Sequence, residues 1–472
     1  MRRLWLSLLA ALLCLSLTAP ALAEVAFLPD FPFDSLETMP LELNLSANVT
    51  TYAPFDEDRL PQLTSLLKHL ALRISWQPLI DETQSSVAVL VDGDEAININ
   101  LQQSEQGGMA QFSVLPDVTF AGADPLAELL GVSSEPFTIL GLDGSETAWL
   151  EDGYALLIAC EDVLAPYLTE ESKVKTDIKN MGTARRKQNY TIPKSSAEEL
   201  TALLSDACPE GKLKELISSL VFSGKQTLRV YRTEDGAPLR MEWTGNCGVD
   251  EKHLRELNLT WRLRRDNSAY RDELSLRSPA LSGSDRNSLD WSCSIVPGKS
   301  GATTLSGEFT YSWVADKQKT ILSGECKLTA APDAGGSRVT GKATLTQQLP
   351  GEEIVTGYAF EPDLLFSGDA NVPAVDGLLT VSTLYGKKVT NTAELGLSLA
   401  RAGYTSWQMR PETVDLAALH EADLEALRAQ VTRAVSSAMI RRLVLLPQED
   451  LAYLFLDLPE ESVQAIIDAA NQ

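Results

Sequence analysis

Three histidines, His69, His253 and His420, are the chain's whole stock of near-neutral bases, and each stands alone on a different element. No His-x-His, His-Glu-x-x-His or paired-cysteine spacing accompanies them, so the sequence offers no zinc site. No Gly-x-Ser-x-Gly elbow supports a serine hydrolase either. Gly336-Ser337-Arg338-Val339-Thr340-Gly341-Lys342 has phosphate-loop spacing. There, however, Ala343 replaces the magnesium-binding hydroxyl, and strand-like alternation follows where a helix is required. No catalytic residue, metal ligand or cofactor is therefore assigned. Carboxylates abound, but Asp56, Glu57 and Asp58 read as helix capping, and nothing beyond a strand break distinguishes Asp363 and Asp369. An exported hydrolase of glycan or peptide is the alternative function class. It would need a cleft joining two carboxylates, one with a raised pKa.

With catalytic motifs missing, the aromatic residues carry the functional reading. From Gly224 to Gln348 apolar and polar residues alternate in successive runs separated by turn compositions, the signature of an antiparallel meander with one buried and one wet face. Leu239, Met241 and Trp243, then Leu257, Leu259, Trp261 and Leu263, then Leu289, Trp291, Cys293 and Ile295, then Phe309, Tyr311 and Trp313 share the apolar face. Small residues, among them Gly307, Gly324 and Ala343, lie between the large ones. Such a surface either interlocks with covering helices or leaves a groove for an acyl chain or other apolar ligand. Trp243, Trp261, Trp291, Phe309, Tyr311 and Trp313 are the candidate ligand-binding residues.

The predicted fold class is α+β: a long, curved, half-barrel-like antiparallel meander covered by helices, with a smaller N-terminal α+β unit and a long C-terminal amphipathic helix. In topology it is similar to the open half-barrels of exported lipid and lipoprotein carriers, in which a helix covers a curved sheet.

The elements divide the chain into five parts. Arg2 and Arg3, an apolar run from Leu4 to Leu17 and Ala21-Leu22-Ala23 mark residues 1–23 as a secretory signal peptide. Residues 24–123 form a strand, helix and strands unit that opens on an arm carrying Phe27, Phe31 and Phe33. Residues 124–187 are a mainly helical connector ending in the charged stretch with Arg185-Arg186-Lys187. Residues 188–408 hold the long sheet, and 409–472 a helical tail whose helix is read from Val414 to Leu443. The Tyr52 strand, leucine-rich helix and Asp92-Gly93 hairpin are echoed by Tyr190, a second such helix and Asp235-Gly236, the mark of an internal duplication.

A net charge of −25 argues against nucleic acid as partner. The five cysteines after the leader, Cys160, Cys208, Cys247, Cys293 and Cys326, are an odd number, and Cys293 and Cys326 fall two strands apart, too far to bridge unless the sheet is coiled or the strand order differs. The expectation is an exported, acidic, non-enzymatic binding or structural protein of a bacterial cell envelope, in sharper form an apolar-ligand carrier. With no later run long enough to span a bilayer as a helix, it is not expected to be an integral membrane protein once the leader is cleaved. Its expected partners are an apolar small molecule or lipid, and a protein docking on Leu443 to Leu458.

Overall fold

A computed structural model describes residues 27, 28, 31, 36 and 39–455, less 53–58, 80–81, 105–106, 133–144, 211, 251, 253, 267–268, 280–285, 299, 316, 353, 370 and 404–411. The leader, the capping acids 56–58, Phe33, His253 and the helix expected after Pro459 lie outside them.

The N-terminal strands are β1 (Leu41–Tyr52), β2 (Leu70–Pro78), β3 (Glu82–Val91), β4 (Asp94–Ser104), β5 (Gly107–Phe112) and β6 (Thr119–Gly122). Next come β7 (Leu168–Ile178), β8 (Gly182–Ile192), β9 (Val221–Arg232), β10 (Pro238–Gly248), β11 (Arg255–Asp266) and β12 (Ala269–Pro279). The meander continues through β13 (Arg286–Pro297), β14 (Thr303–Ala315), β15 (Gln318–Asp333), β16 (Gly336–Gln348), β17 (Thr356–Ser367), β18 (Ala374–Tyr385) and β19 (Lys388–Arg401). A short β20 (Thr413–Asp415) follows. The helices are α1 (Arg59–Leu67), α2 (Pro125–Leu130), α3 (Ser145–Val163), α4 (Ala197–Ala207), α5 (Lys212–Ser218), α6 (Glu421–Leu443) and α7 (Gln448–Phe455).

All twenty described strands join one sheet. Each strand from β7 to β19 pairs antiparallel with the next. Then β19 pairs with β1, and β1 leads through β2 to β6, where β20 adds in parallel. This corrects the α+β expectation twice over. The N-terminal strands are not a separate small sheet, because β1 and β19 pair from Leu41↔Arg401 to Tyr52↔Asn391 and complete each other's open edges. Nor does a helical layer extend over the whole meander. The helices' principal packing is on β1, β2, β4–β6 and β9, and no described helix makes a principal contact with β12–β19.

The sheet's two ends are protected differently. β7 is an edge strand whose first ten residues are exposed or half-buried, with Glu170, Glu171, Lys173, Lys175 and Asp177 among them. Charges of both signs on an edge oppose pairing with another chain. The charged stretch expected to end a helical connector thus lies in strands β7 and β8. At the opposite edge, β20 is only three residues long.

Two large cores form on the apolar face. In one, Phe27, Phe31, Trp76, Phe112 and Phe120 meet Tyr270, Ile295, Leu305, Leu328, Val339 and Leu364. One end of β12–β18 is thereby folded against the N-terminal strands, with the Phe31 ring edge-on to Phe366 at 5.1 Å. In the other, Leu157 of α3, Leu164 just beyond it, and Leu200 and Leu204 of α4 lie on Tyr190, Leu228, Trp243 and Trp261. The hairpin turn Asp92-Gly93 has φ of 52° and 83°, the paired left-handed conformation a two-residue turn demands. Asp235-Gly236 also turns a hairpin, β9 to β10, but the first unit has an additional strand, β2, between its helix and its Asp-Gly hairpin.

The tail differs from its expected form. Val414 lies in β20, Leu416 begins a single turn of 3-10 helix, and α6 starts only at Glu421. Glu421 and Asp423 sit in its first turn and Arg441 and Arg442 in its last, complementing the helix dipole.

Candidate functional site

Trp243 and Trp261 are anchored within the helix-covered core. Trp243 stacks on Phe222 with ring centroids 5.4 Å apart and donates its indole N–H to Gln226 Oε1 at 3.0 Å. Trp261 donates to Asp272 Oδ1 at 2.7 Å. Above it, α3 presents Gly153, where a Cβ would stand 3.3 Å from the indole, so the helix lies directly on the ring.

Asp272 is fully buried and also accepts from the Tyr270 hydroxyl and from Arg265 Nη2 at 3.2 Å. The Arg265 guanidinium in turn lies 4.0 Å from the centre of the Tyr154 ring of α3. Burial pushes the Asp272 carboxyl above its ordinary range despite Arg265 beside it, and pushes the Tyr270 phenol well up. The hydrogen bonds around Asp272 tie β11, β12 and α3 together, and no second carboxylate takes part in them.

The other four aromatics stand in a different setting. Leu274, Trp291, Phe309 and Gly324 are successive cross-strand partners, and the Phe309 ring spreads over Gly324, where a Cβ would come within 2.5 Å of it. Tyr311 and Trp313 stack at 5.3 Å. All four rings are half-buried, whereas Trp243 and Trp261 are buried. The six candidate residues are thus not one site: two are core and four form a partly open aromatic band.

The same strands hold a trough of about 880 Å³, lined chiefly by the polar rows of the opposite face together with Leu274, Trp291, Phe309 and Gly324. One row across it reads Arg262, Glu273, Ser292, Glu308, Glu325 and Thr344, each the register partner of the next. A second row reads Thr260, Ser275, Asp290, Thr310, Ser323 and Thr346. Side chains from six adjacent strands line one cavity only where that face is concave. Arg262 pairs with Glu273 at 2.9 Å, Asp290 with Arg277 at 2.7 Å, and Ser323 with Thr346 at 3.0 Å. Sequence reading treated this face only as the wet side of a sheet. Alternation showed which residues share it but gave no measure of its curvature.

A third cluster joins the two termini. His69 Nδ1 lies 2.5 Å from Asp92 Oδ1, and its Nε2 lies 2.9 Å from Asp450 Oδ2. Ser65 and Lys68 also reach Asp450. Hydrogen bonds to Asp92 and Asp450 raise the His69 pKa, and those from Ser65, His69 and Lys68 hold Asp450 well below the ordinary carboxylate range. Sequence reading set His69 apart as an isolated surface or helix residue, because its partners lie 23 and 381 positions away. Beside this cluster, Leu446 and Leu451 are buried with Leu66 and Val91. The stretch expected to dock a partner protein is, in that part, packed on its own chain.

The five cysteines are free, and Gly307 on β14 separates Cys293 from Cys326. No group of three or more potential metal ligands occurs among the described residues.

No family model matches the chain, and no characterised protein matches it by sequence. Among solved structures it is similar to OmpT, an outer-membrane protein of Vibrio cholerae, with 9% identity, 77% of this chain and 95% of that one covered, and a TM-score of 0.27. An anion-selective porin from Comamonas acidovorans matches with 8% identity, 77% and 98% coverage and a TM-score of 0.28. So does Wzi, a carbohydrate-binding outer-membrane β-barrel involved in group 1 capsule assembly in Escherichia coli, with 6% identity, 79% and 86% coverage and a TM-score of 0.24. At such TM-scores the likeness carries no argument about site or activity.

The expectation that the mature chain is not an integral membrane protein does not stand, because it weighed helices alone and all the described strands join one large sheet, the kind of element that test leaves out. Among the described residues no helix is long and apolar enough to cross a membrane, which says nothing of strands.

Proposed function

We propose that this chain is an exported, non-enzymatic binding protein of the cell envelope, and that the aromatic band of Trp291, Phe309, Tyr311 and Trp313 receives an apolar ligand. The carrying observation is the contrast within one sheet face: Trp243 and Trp261 are buried under α3 and α4, while these four rings stay half-buried. Rings already half-buried have little surface left to desolvate, so affinity must come largely from the ligand, at about 0.8 kcal/mol per methylene buried. That favours an extended acyl chain over a compact ring compound.

Native mass spectrometry of gently purified protein, with displacement of an environment-sensitive fatty-acid dye, tests the reading. A co-purified lipid and saturable displacement weakened by Trp291→Ala support it. Absence of both lipid and dye binding refutes it.

One observation favours the hydrolase alternative: Glu308 and Glu325 face each other across β14 and β15. Directly opposed residues bring two carboxylates to roughly the 5 Å separation of a retaining glycosidase pair. Turnover of a glycan, abolished by Glu308→Gln, would move the assignment to that class.

A further inference from the structure

We propose that the polar trough across β11–β16 is a second binding site, and that it takes an extended oligomer bearing both hydroxyls and amines, of the amino-sugar class. Its shape comes first. Six adjacent strands spaced about 4.8 Å apart make the trough roughly 24 Å long, a span that suits a linear chain better than a compact molecule. The volume of about 880 Å³ accommodates several sugar rings.

Its chemistry comes second. The two rows give the trough hydroxyls, carboxylates and one guanidinium, and Leu274, Trp291, Phe309 and Gly324 of the row between them complete its lining. Ionised carboxylates only accept hydrogen bonds, so the wall has a surplus of acceptors and calls for a ligand rich in donors. The surplus is localised. Arg262 is engaged with Glu273, and Arg277 with Asp290. Glu308 and Glu325 stand directly opposite one another, and neither has an ion pair among the described residues. Lys327, two positions along β15, lies outside the lining. Like charges in register destabilise a sheet, and a ligand ammonium placed between them removes that repulsion. On either side in the same row Ser292 and Thr344 carry hydroxyls. A bare polyamine would leave those hydroxyls unused, and a neutral glycan would leave the carboxylate pair uncompensated.

Titration calorimetry of the full-length mature protein at low ionic strength, where charge pairing is least screened, tests the proposal. The probes are a glucosamine tetramer, its fully N-acetylated counterpart and spermine. The glucosamine tetramer is expected to bind, with the acetylated tetramer and spermine each weaker by about tenfold or more, the scale of one lost charge-assisted contact. Glu308→Gln/Glu325→Gln is expected to lose about tenfold for the glucosamine tetramer, while Trp313→Ala, outside the trough lining, leaves that binding unchanged. A thermal melt of the double variant confirms that it folds. The proposal is overturned by absence of binding, by equal binding to the double variant, by spermine binding as tightly as the tetramer, or by cleavage of the tetramer.

Discussion

Trp261 and Trp291 occupy equivalent places on one face of one sheet, two strands apart through Leu274, yet their surroundings have little in common. Over Trp261 a helix is fitted at Gly153, and a buried carboxylate holds the indole nitrogen. Around Trp291 the neighbours are the adjacent strands, and the ring remains half-buried. The comparison separates two properties that alternation merges. Period-two patterning fixes which face a residue is on; only the third dimension decides what lies above that face.

The largest effects are expected on the covered side. Trp261→Ala removes a ring beneath α3 and strands the Asp272 acceptor, and should cost about 3–5 kcal/mol in urea unfolding. Asp272→Ala leaves Arg265 buried without its charge partner and should fall in the same range of about 3–5 kcal/mol. On the open side, Trp291→Ala or Trp313→Ala should cost only about 1 kcal/mol, because the surface lost is already partly hydrated. Equal losses on the two sides would abolish the distinction.

A subtler difference concerns pH and the far end of the chain. His69 has a raised pKa, so its contribution is complete below the unfolded value of about 6.5 and is lost as pH rises through the higher folded value. Asp450 has a lowered pKa, so its contribution is present above about 3.9 and is lost as pH falls towards the folded value. Docking of α7 should therefore be tightest between about pH 4 and 6.5. Hydrogen exchange of the α7 amides measures this, and His69→Gln should flatten the alkaline limb while leaving the α3 amides unmoved. Smallest of all, Glu308→Gln should raise stability by about 0.2–1 kcal/mol through relief of the in-register repulsion. A loss of stability would mean that the pair is already compensated.

How far the sequence disclosed this arrangement can be followed residue by residue. The meander's face assignments from Leu239 to Trp313 match the observed registers, since one-sided burial specifies them locally. β2 was hidden because Leu70 fits both the helical series Leu63, Leu66, Leu67 and the strand series Leu72, Ile74, Trp76. The start of α6 was misplaced because Leu416 and Leu419, three apart, suit a 3-10 turn as well as an α-helix. The union of β1 with β19 left no local trace. It depends on contacts such as the Thr50 hydroxyl donating to the Thr392 carbonyl oxygen across 342 positions. The site was legible only in half: six aromatics on one face were visible, but the helix over two of them and the hollow beneath the others are properties of curvature and long-range packing.

The central claim, that one half of the aromatic face is filled by the protein and the other is available to a guest, is tested most directly by fluorine NMR. The protein would carry fluorotryptophan, with lines assigned by single Trp→Phe variants, and be titrated with a spin-labelled fatty acid. The account predicts broadening of the Trp291 and Trp313 lines while those of Trp243 and Trp261 stay sharp. Uniform broadening of all four, or none at any, would contradict it.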